Sequence, residues 1–186
     1  MGKIISLVNQ KGGVGKTTTS INLAASLGIL GKKTLLVDLD PQGNATTGVG
    51  VEKGDLKVSL YDALIGAIEP NKSIKKTKFK NLDLIPSSMK LAGIEIEFVD
   101  KQHSDPTFSK GSQLKRVLYE VRDNYDYILV DCPPSLGVLT VNALTASDSV
   151  LIPVQCEFLA LEGIMQLLNT ITQARKNLNP KLEIEG

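Results

Sequence analysis

The sequence predicts an α/β fold in which a mostly parallel central sheet carries helices on both faces. Short apolar runs of strand length alternate along the chain with longer segments whose apolar residues recur at helical spacing. The first of these runs leads directly into a glycine-rich loop that opens a helix. Two further runs end on aspartates. Because parallel strands buried on both faces have nearly continuous apolar sequences, we expect helices above and below the sheet.

Length and composition indicate one globular unit spanning residues 1–186. The chain has 42% hydrophobic and 22% charged residues, enough for one buried core and too few for two ordinary domains. A net charge of +1 gives no overall signature of nucleic-acid binding. No apolar run approaches the roughly 18–20 residues of a membrane span, and the N-terminus has no secretion signal. We therefore expect a cytoplasmic protein without a membrane anchor.

The first βαβ unit is predicted from the N-terminal 40 residues. Lys3 to Val8 is expected to be the first, central strand, and Thr34 to Asp40 the second. Between them, Lys16 to Leu30 is predicted as a helix that ends at Gly31. The apolar stripe of this helix comprises Ile21, Leu23, Ala24, Leu27 and Leu30.

The middle of the chain is predicted to contain loops, two helices and one strand. Pro41 to Lys57 lacks periodicity, so we expect a long loop near the ligand face. The predicted elements that follow are a short helix at Val58–Ala67, a strand at Leu82–Pro86, a helix at Met89–Val99 with Leu91, Ile94 and Phe98 facing inward, and a polar loop at Lys101–Lys110. The loop contains the single histidine, His103, which we interpret as an exposed residue and not a catalytic base.

The last third is predicted to add one amphipathic helix, two strands and a long helix. In order these are Gln113–Arg122, Tyr125–Asp131, Ser149–Val154 and Glu157–Leu178, the last with Leu161, Ile164, Met165, Leu168 and Ile171 on one face. A further strand is expected to begin at Leu182. Both cysteines, Cys132 and Cys156, lie in apolar contexts and are interpreted as buried reduced thiols.

The stretch from Asn9 to Thr18, NQKGGVGKTT, has the composition of a phosphate-binding loop. Backbone N–H groups of a glycine loop that closes onto a helix N-terminus form an anion nest. The glycines supply backbone freedom and leave room for a phosphate. The motif predicts that the nucleotide is bound by Gly12, Gly13, Val14, Gly15, Lys16, Thr17 and Thr18, and leaves the second lysine of the loop, Lys11, without a role.

Three residues of this loop have predicted individual roles. Lys16 is expected to reach the β- and γ-phosphates of a nucleotide, and the Thr17 hydroxyl to coordinate Mg²⁺. Thr18 can donate to the α-phosphate. The chain is therefore predicted to be a P-loop NTPase that binds a nucleotide together with Mg²⁺.

Three aspartates lie at the C-terminal ends of predicted strands, at the edge where open α/β sheets place their sites. Asp131 fits the acid that binds Mg²⁺ directly or through water. Asp38 and Asp40 are two residues apart on one strand and share a face. We assign Asp38 to the metal and Asp40 to the attacking water, while the alternative that one of the pair caps the turn before Pro41 stays open.

The segment that follows Asp131 combines two prolines with a glycine in the sequence CPPSLG, residues 132–137. Such a segment could move when a γ-phosphate is present, as switch loops do. A plain strand-to-helix turn explains the prolines equally well. Cys132 is a poor nucleophile candidate because neither a histidine nor a basic cluster adjoins it in sequence.

Four stretches together resemble the ParA/Soj family of chromosome and plasmid partition ATPases, in the deviant Walker A class: KGGVGKTT, LLVDLDPQGNATTG, YDYILVDCPPSLG and IPVQCEFLALEG. The resemblance covers nearly the whole chain. It implies that Lys11 is the signature lysine, which crosses a dimer interface to the partner's phosphates, while Lys16 serves its own nucleotide. A second cation delivered in this way would link the chemistry to dimerisation, since one lysine and Mg²⁺ only partly offset the charge that develops during hydrolysis.

The resemblance also implies an ATP-dependent homodimer, sequence-independent DNA binding by that dimer, nucleoid association, and slow hydrolysis stimulated by a ParB-like centromere-binding protein. Family members continue beyond Gly186, so we expect a shortened chain whose DNA surface and adenine pocket are incomplete. Two alternatives remain: a MinD-like positioning ATPase, which needs a C-terminal amphipathic helix, and a metabolic ATP-dependent enzyme of the dethiobiotin synthetase type.

Overall fold

The computed structural model describes residues 1–155 and 160–186, and in them the chain forms an α/β sandwich around one seven-stranded sheet. The strands are β1 (Lys3–Leu7), β2 (Thr34–Asp38), β3 (Lys75–Lys76), β4 (Leu82–Ile85), β5 (Tyr127–Asp131), β6 (Ser149–Leu151) and β7 (Glu183–Ile184). Their order is β3-β4-β2-β5-β1-β6-β7, and all pairs are parallel except β3 with β4. The predicted mostly parallel sheet is confirmed. The first strand, β1, was predicted to be central; it is an interior strand, but β5 lies in the middle of the sheet.

Seven α-helices are described: α1 (Lys16–Ile29), α2 (Asn44–Gly48), α3 (Leu60–Leu64), α4 (Ile94–Ser104), α5 (Gln113–Val121), α6 (Val138–Ala146) and α7 (Ala160–Asn177). Short 3-10 turns lie at Lys53–Asp55, Pro70–Ser73, Met89–Gly93 and Arg122–Asn124. None of the helices in the described parts of the chain combines the length and apolarity that a bilayer crossing requires.

The sheet separates two apolar clusters, which confirms helices on both faces. On one face Ile5, Leu36 and Leu129 pack with α1 and α2 through Ala24, Ala45 and Val49. On the other face Ile4, Val37 and Val130 pack with α3 to α7. Leu91, Ile94 and Phe98 all belong to this second cluster and are almost fully buried, as the sequence predicted.

Four of the five residues of the stripe predicted for helix α1 pack on the sheet: Ala24 is fully buried, and Ile21, Leu23 and Leu27 are partly buried against the same apolar cluster. The prediction is wrong for Leu30 and missed the small residues beside Ala24. The buried positions of α1 are Lys16, Ser20, Ala24 and Gly28, whereas Leu30 is 75% exposed. Gly28 has to be small because an added Cβ would lie 2.2 Å from the carbonyl oxygen of Lys80. The helix therefore lies close to the sheet along a line of small side chains, and its larger apolar residues flank this line.

Three other expectations are corrected. The region Pro41–Lys57, predicted as a loop, contains α2 and a 3-10 turn. Helix α4 extends through His103, which is exposed as predicted but helical. Met165 on α7, predicted to face inward, is 62% exposed. In addition, helix α6 was not predicted. Cys132 is buried as expected. Cys156, the start predicted for the last helix at Glu157, and the side chain of Leu161 lie outside the described residues.

Candidate active site

The glycine loop joins β1 to α1 at the carboxyl edge of the sheet. Gly13 and Gly15 have φ values of 75° and 90°, a left-handed backbone that favours glycine. An added Cβ on Gly12 or Gly13 would meet nothing within 4 Å, so the loop leaves open space beside its backbone. Helix α1 begins at Lys16 with no side-chain cap, so the N–H groups of its first turn are available to a ligand. The arrangement is that of an anion nest.

Lys16 lies under the loop with its side chain largely buried. It is 7% exposed, and its Nζ donates to the carbonyl oxygen of Lys11 at 3.0 Å. Burial lowers the pKa of Lys16, while the carboxylates of Asp131 and Asp40 act in the opposite direction. The ammonium group is thus held at the loop, where two acids favour its charged form.

A cavity of about 340 Å³ brings the loop together with one of the predicted acids. It is lined by Gly12, Gly13, Gly15, Lys16, Thr17, Thr18, Asp40, Gln42, Asn44 and Pro134. Six of the eight predicted nucleotide-binding residues line it. Val14 instead borders a neighbouring cavity of about 680 Å³, together with Lys11, the Pro134–Leu136 segment and Gly163 of α7.

Asp131 is fully buried beside the start of α1. Its Oδ1 accepts a hydrogen bond from the Ser20 hydroxyl at 2.9 Å, whereas no described residue gives Oδ2 a hydrogen bond of ordinary geometry. Burial raises the pKa of Asp131, and the hydroxyls of Thr17 and Ser20 act against that shift. An uncompensated buried carboxylate oxygen next to a threonine hydroxyl and Lys16 suits a divalent cation.

Asp38 lies opposite Asp131, since the two are register partners in adjacent parallel strands. Its side chain is fully buried, and burial raises its pKa to about 7. Both carboxylate oxygens already accept hydrogen bonds: Oδ2 from the N–H and hydroxyl of Thr46, and Oδ1 from the N–H of Asp40 at 3.3 Å. The structure therefore brings Asp38 into contact with α2.

Asp40 is the acid that faces the cavity. It lines the cavity of about 340 Å³, and its carboxylate Oδ1 accepts a hydrogen bond from the N–H of Gln42 at 2.9 Å. Within the described residues, no three His, Cys, Asp or Glu side chains converge as a metal-binding set. A cation bound here would need oxygen ligands from Thr17, from a nucleotide's phosphates and from water as well as from Asp131.

The CPPSLG segment follows β5 and borders both cavities. Ser135 N–H bonds to Pro133 O at 2.9 Å, and the Thr140 hydroxyl donates to Ser135 O at 2.6 Å, so α6 holds the turn. Burial raises the pKa of the Cys132 thiol well above its ordinary range, which keeps the thiol protonated.

Three hydroxyl residues at this site were missed from the sequence: Ser20, Thr46 and Ser87. Ser87 follows β4 as the aspartates follow β2 and β5, so the argument from strand ends could have found it. Thr46 and Ser20 face inward from helices, and no sequence pattern distinguished them from neighbouring threonines and serines.

Comparison with known proteins agrees with this geometry. A family model described as an AAA domain matches residues 2–184. The sporulation initiation inhibitor protein Soj of Bacillus subtilis (strain 168) is 59% identical over 100% of this chain and 71% of its own length. The chromosome-partitioning ATPase Soj of Treponema pallidum (strain Nichols) is 50% identical over 100% of this chain and 70% of its own length. The partitioning protein ParA of Caulobacter vibrioides (strain NA1000 / CB15N) is 47% identical over 99% and 67% respectively.

Solved structures extend the comparison. Cobyrinic acid a,c-diamide synthase of Mycobacterium smegmatis with bound ADP and magnesium superposes with a TM-score of 0.91 at 39% identity, over 99% of this chain and 72% of that chain. A plasmid partition protein of Borrelia burgdorferi gives a TM-score of 0.81 at 34% identity, over 98% and 76% respectively. The family model matches nearly the whole chain, the Soj and ParA relatives align with 99–100% of it, and a plasmid partition protein shares its fold. This chain therefore belongs to the ParA/Soj family of partition ATPases.

Proposed function

We propose that the chain is an ATP-operated dimerisation switch for DNA segregation. The observation that carries this proposal is the glycine loop with two lysines, Lys11 and Lys16, whose neighbouring cavity also contains Asp40. In the proposed cycle the ATP-bound homodimer binds duplex DNA without sequence preference and associates with the nucleoid in the cytoplasm. Hydrolysis, slow alone and stimulated by a ParB-like protein, releases the DNA. The partition proteins named above support this cycle by their family membership.

The proposed chemistry divides the site residues by role. The loop N–H groups and Lys16 bind the phosphates, with Thr18 at the α-phosphate. Asp131 and the Thr17 hydroxyl would hold Mg²⁺, whose chemistry is to offset phosphate charge. Asp40, which faces the cavity, orients the attacking water. Asp38 was assigned to the metal from the sequence, but its hydrogen bonds to Thr46 and Asp40 favour a role in shaping the site.

Lys11 is proposed to act across the dimer. Its N–H donates to Asn9 Oδ1 at 3.0 Å and its carbonyl accepts from Lys16, so its backbone is fixed beside the phosphate cavity. Its side chain borders the larger, neighbouring cavity. A second lysine held there can supply positive charge to a partner's phosphates, where charge develops during hydrolysis.

Sedimentation tests the whole cycle. The chain is run with ADP, with ATP and with a non-hydrolysable analogue, each with and without duplex DNA. We expect a monomer with ADP, a dimer with the analogue, and co-sedimentation with DNA only for the dimer. A monomer under all conditions, or equal DNA binding with ADP and analogue, would reject the switch.

A second candidate is a metabolic ATP-dependent enzyme. It is favoured by one observation, the 0.91 TM-score to a protein named as a diamide synthase. Two relatives whose names refer to chromosome partitioning, Soj of Treponema pallidum at 50% identity and ParA of Caulobacter vibrioides at 47%, favour the switch. Phosphate release that requires a small carboxylated acceptor would favour the enzyme, whereas release that responds to DNA and a ParB-like protein would exclude it.

A further inference from the structure

A buried hydrogen-bonded cluster lies directly behind Asp40. It consists of Asp38, Thr46 and Ser87, all 0% exposed. Thr46 donates to Asp38 Oδ2 twice, from its N–H at 2.6 Å and from its hydroxyl at 2.7 Å. The N–H of Ser87 donates to the Thr46 hydroxyl oxygen at 3.0 Å. The cluster thereby joins three elements: the end of β2, helix α2 and the residue pair after β4.

This cluster holds the backbone of Asp40 on both sides. The Ser87 hydroxyl donates a short hydrogen bond to the Asp40 carbonyl oxygen. Asp38 Oδ1 accepts from the Asp40 N–H at 3.3 Å. The Asp40 carbonyl also accepts from the Gly43 N–H at 2.8 Å, and the carboxylate accepts from the Gln42 N–H at 2.9 Å. The two contacts from the cluster therefore help to fix the backbone from which the Asp40 side chain enters the cavity.

The three members of the cluster do not line the cavity beside the glycine loop. The described residues that line it include Asp40 but neither Thr46 nor Ser87. A change at Thr46 or Ser87 can therefore move Asp40 while leaving the loop, Lys16 and Thr17 in place. Misplacement of a catalytic group by about 1 Å can cost roughly 100-fold in rate.

We propose that Thr46 and Ser87 are positioning residues for ATP hydrolysis, which act by holding Asp40 in line with the attacking water. The proposal rests on the proposed function, because it assigns the water to Asp40. It extends that function to two hydroxyls from α2 and from the end of β4, and it gives Asp38 the role of the acceptor that connects Thr46 to Asp40.

The test uses three variants of the full chain. Thr46→Val keeps the shape of the side chain and removes its hydroxyl, Thr46→Ser keeps the hydroxyl, and Ser87→Ala removes the bond to the Asp40 carbonyl. For each variant we would measure kcat and KM for ATP, ADP affinity by calorimetry, and Tm. We expect kcat to fall at least tenfold in Thr46→Val and Ser87→Ala, with ADP affinity within twofold of the wild type. Thr46→Ser should keep kcat within threefold.

Two matched controls separate positioning from stability. Ser73 is fully buried and its hydroxyl donates to Pro70 O at 2.6 Å; Thr145 is 4% exposed and its hydroxyl donates to Val141 O at 2.8 Å. Ser73→Ala and Thr145→Val thus lose a comparable buried hydroxyl contact away from Asp40. Their kcat should stay within twofold of the wild type even where their Tm falls.

The outcomes are distinct. Unchanged kcat in folded Thr46→Val and Ser87→Ala overturns the proposal, as does an equal loss of kcat in the controls or a parallel loss of ADP affinity. If Thr46→Val does not fold, Ser87→Ala decides, since alanine keeps the N–H that bonds to Thr46. Asp40→Ala distinguishes the role of Asp40 from the role of the residues that position it. Normal turnover in Asp40→Ala rejects the assignment of the attacking water to Asp40. Lost turnover in Asp40→Ala together with normal kcat in Thr46→Val and Ser87→Ala rejects only the positioning role of Thr46 and Ser87.

Discussion

At the scale of single residues, we expect nucleotide binding to depend on the positive charge of Lys16. Lys16 is nearly buried and bonded to the loop carbonyl of Lys11, so its charge is already in position before any phosphate arrives. Lys16→Ala should weaken ADP binding by about 100-fold or more, as expected for loss of a charge-assisted contact. Calorimetry with ADP measures this, with Lys32→Ala, an exposed lysine beyond α1, as the control. Retained affinity would reject the role of Lys16.

Asp40 is expected to separate binding from turnover. Its carboxylate faces the cavity and can orient a water, while the phosphates are held by other groups. Asp40→Ala should therefore bind ATP normally and lose at least 100-fold in kcat. Rapid-filtration binding and phosphate release, measured on the same preparation, check both parts. Asp55→Ala, at an exposed acid in the 3-10 turn, should leave both unchanged.

Asp38 makes stability depend on pH in a definite direction. Its folded-state pKa of about 7 lies above the ordinary 3.8, so between these values the folded chain keeps a proton that the unfolded chain releases. The stability that this group contributes is fully present below about pH 4 and is lost as pH rises through 7. We expect the Tm of the wild type, relative to Asp38→Asn, to fall by several °C from pH 5 to pH 8 in metal-free buffer. A pH-independent difference would contradict this.

The sequence predicted which acids lie at the candidate site but not which hydrogen-bond partners each acid has there. Asp38, Asp40 and Asp131 could be recognised because each lies at the end of an apolar run, where a charge needs a polar cleft or a cation. Asp38 and Asp40 share a face in the strand pattern, but in the structure Asp40 lines the cavity, whereas the Asp38 carboxylate accepts a hydrogen bond from Thr46 of α2. That contact joins residues from separate elements, so no local pattern could have predicted it.

At the scale of elements, predictability followed amphipathicity. Helix α5, with Leu114, Val117 and Leu118 on its inner face, was predicted almost to its ends. Helix α6 is buried on nearly all sides, including the polar residues Thr140, Asn142 and Thr145, so its sequence shows no apolar stripe. Helix α2 has only five residues, too few for a period to be recognised.

The contact between α1 and the turn before β4 gives an element-scale prediction. Gly28 packs against the Lys80 carbonyl group, and the side-chain Nδ2 of Asn81 donates a hydrogen bond to the Gly28 carbonyl oxygen at 3.0 Å. Gly28→Ala gains helix propensity of about 1 kcal/mol but places a Cβ 2.2 Å from Lys80 O. Overpacking against backbone typically costs about 1–3 kcal/mol, so we expect a net fall in the free energy of unfolding.

Urea unfolding measures this effect, and Gly54→Ala provides the control. An added Cβ at Gly54 meets nothing within 4 Å, so Gly54→Ala should unfold at the same urea midpoint as the wild type. If Gly28→Ala were as stable as the wild type, the turn at Lys80 would have to move away from α1 without cost.

At the scale of the whole molecule, the sheet order creates the site. Strands β1 and β2 are consecutive in sequence, yet β5 lies between them and brings Asp131 beside Asp38. The alternation of strands and helices predicted a parallel sheet with helices on both faces. Because open parallel sheets bind ligands at the carboxyl ends of their strands, the sequence also predicted at which edge the candidate site lies. The neighbour relations of seven strands do not follow from alternation, because local patterns do not record which strands pair.

Dimerisation is the last prediction, and it depends on Lys11. Its backbone contacts to Asn9 and Lys16 survive truncation of the side chain, so Lys11→Ala should keep the loop intact and bind ADP within threefold of the wild type. The dimer, however, should weaken by at least 100-fold, since its proposed cation at the partner's phosphates is removed. The experiment uses an Asp40→Ala background, in which ATP is expected to stay bound because it is not hydrolysed. The mass of Asp40→Ala is compared with that of the double variant Lys11→Ala/Asp40→Ala by light scattering, with ATP at saturation. A dimer of the first and a monomer of the second is the expected result. An ATP-bound dimer of the double variant would show that Lys11 acts only within its own chain, and the second lysine of the loop would then need another explanation.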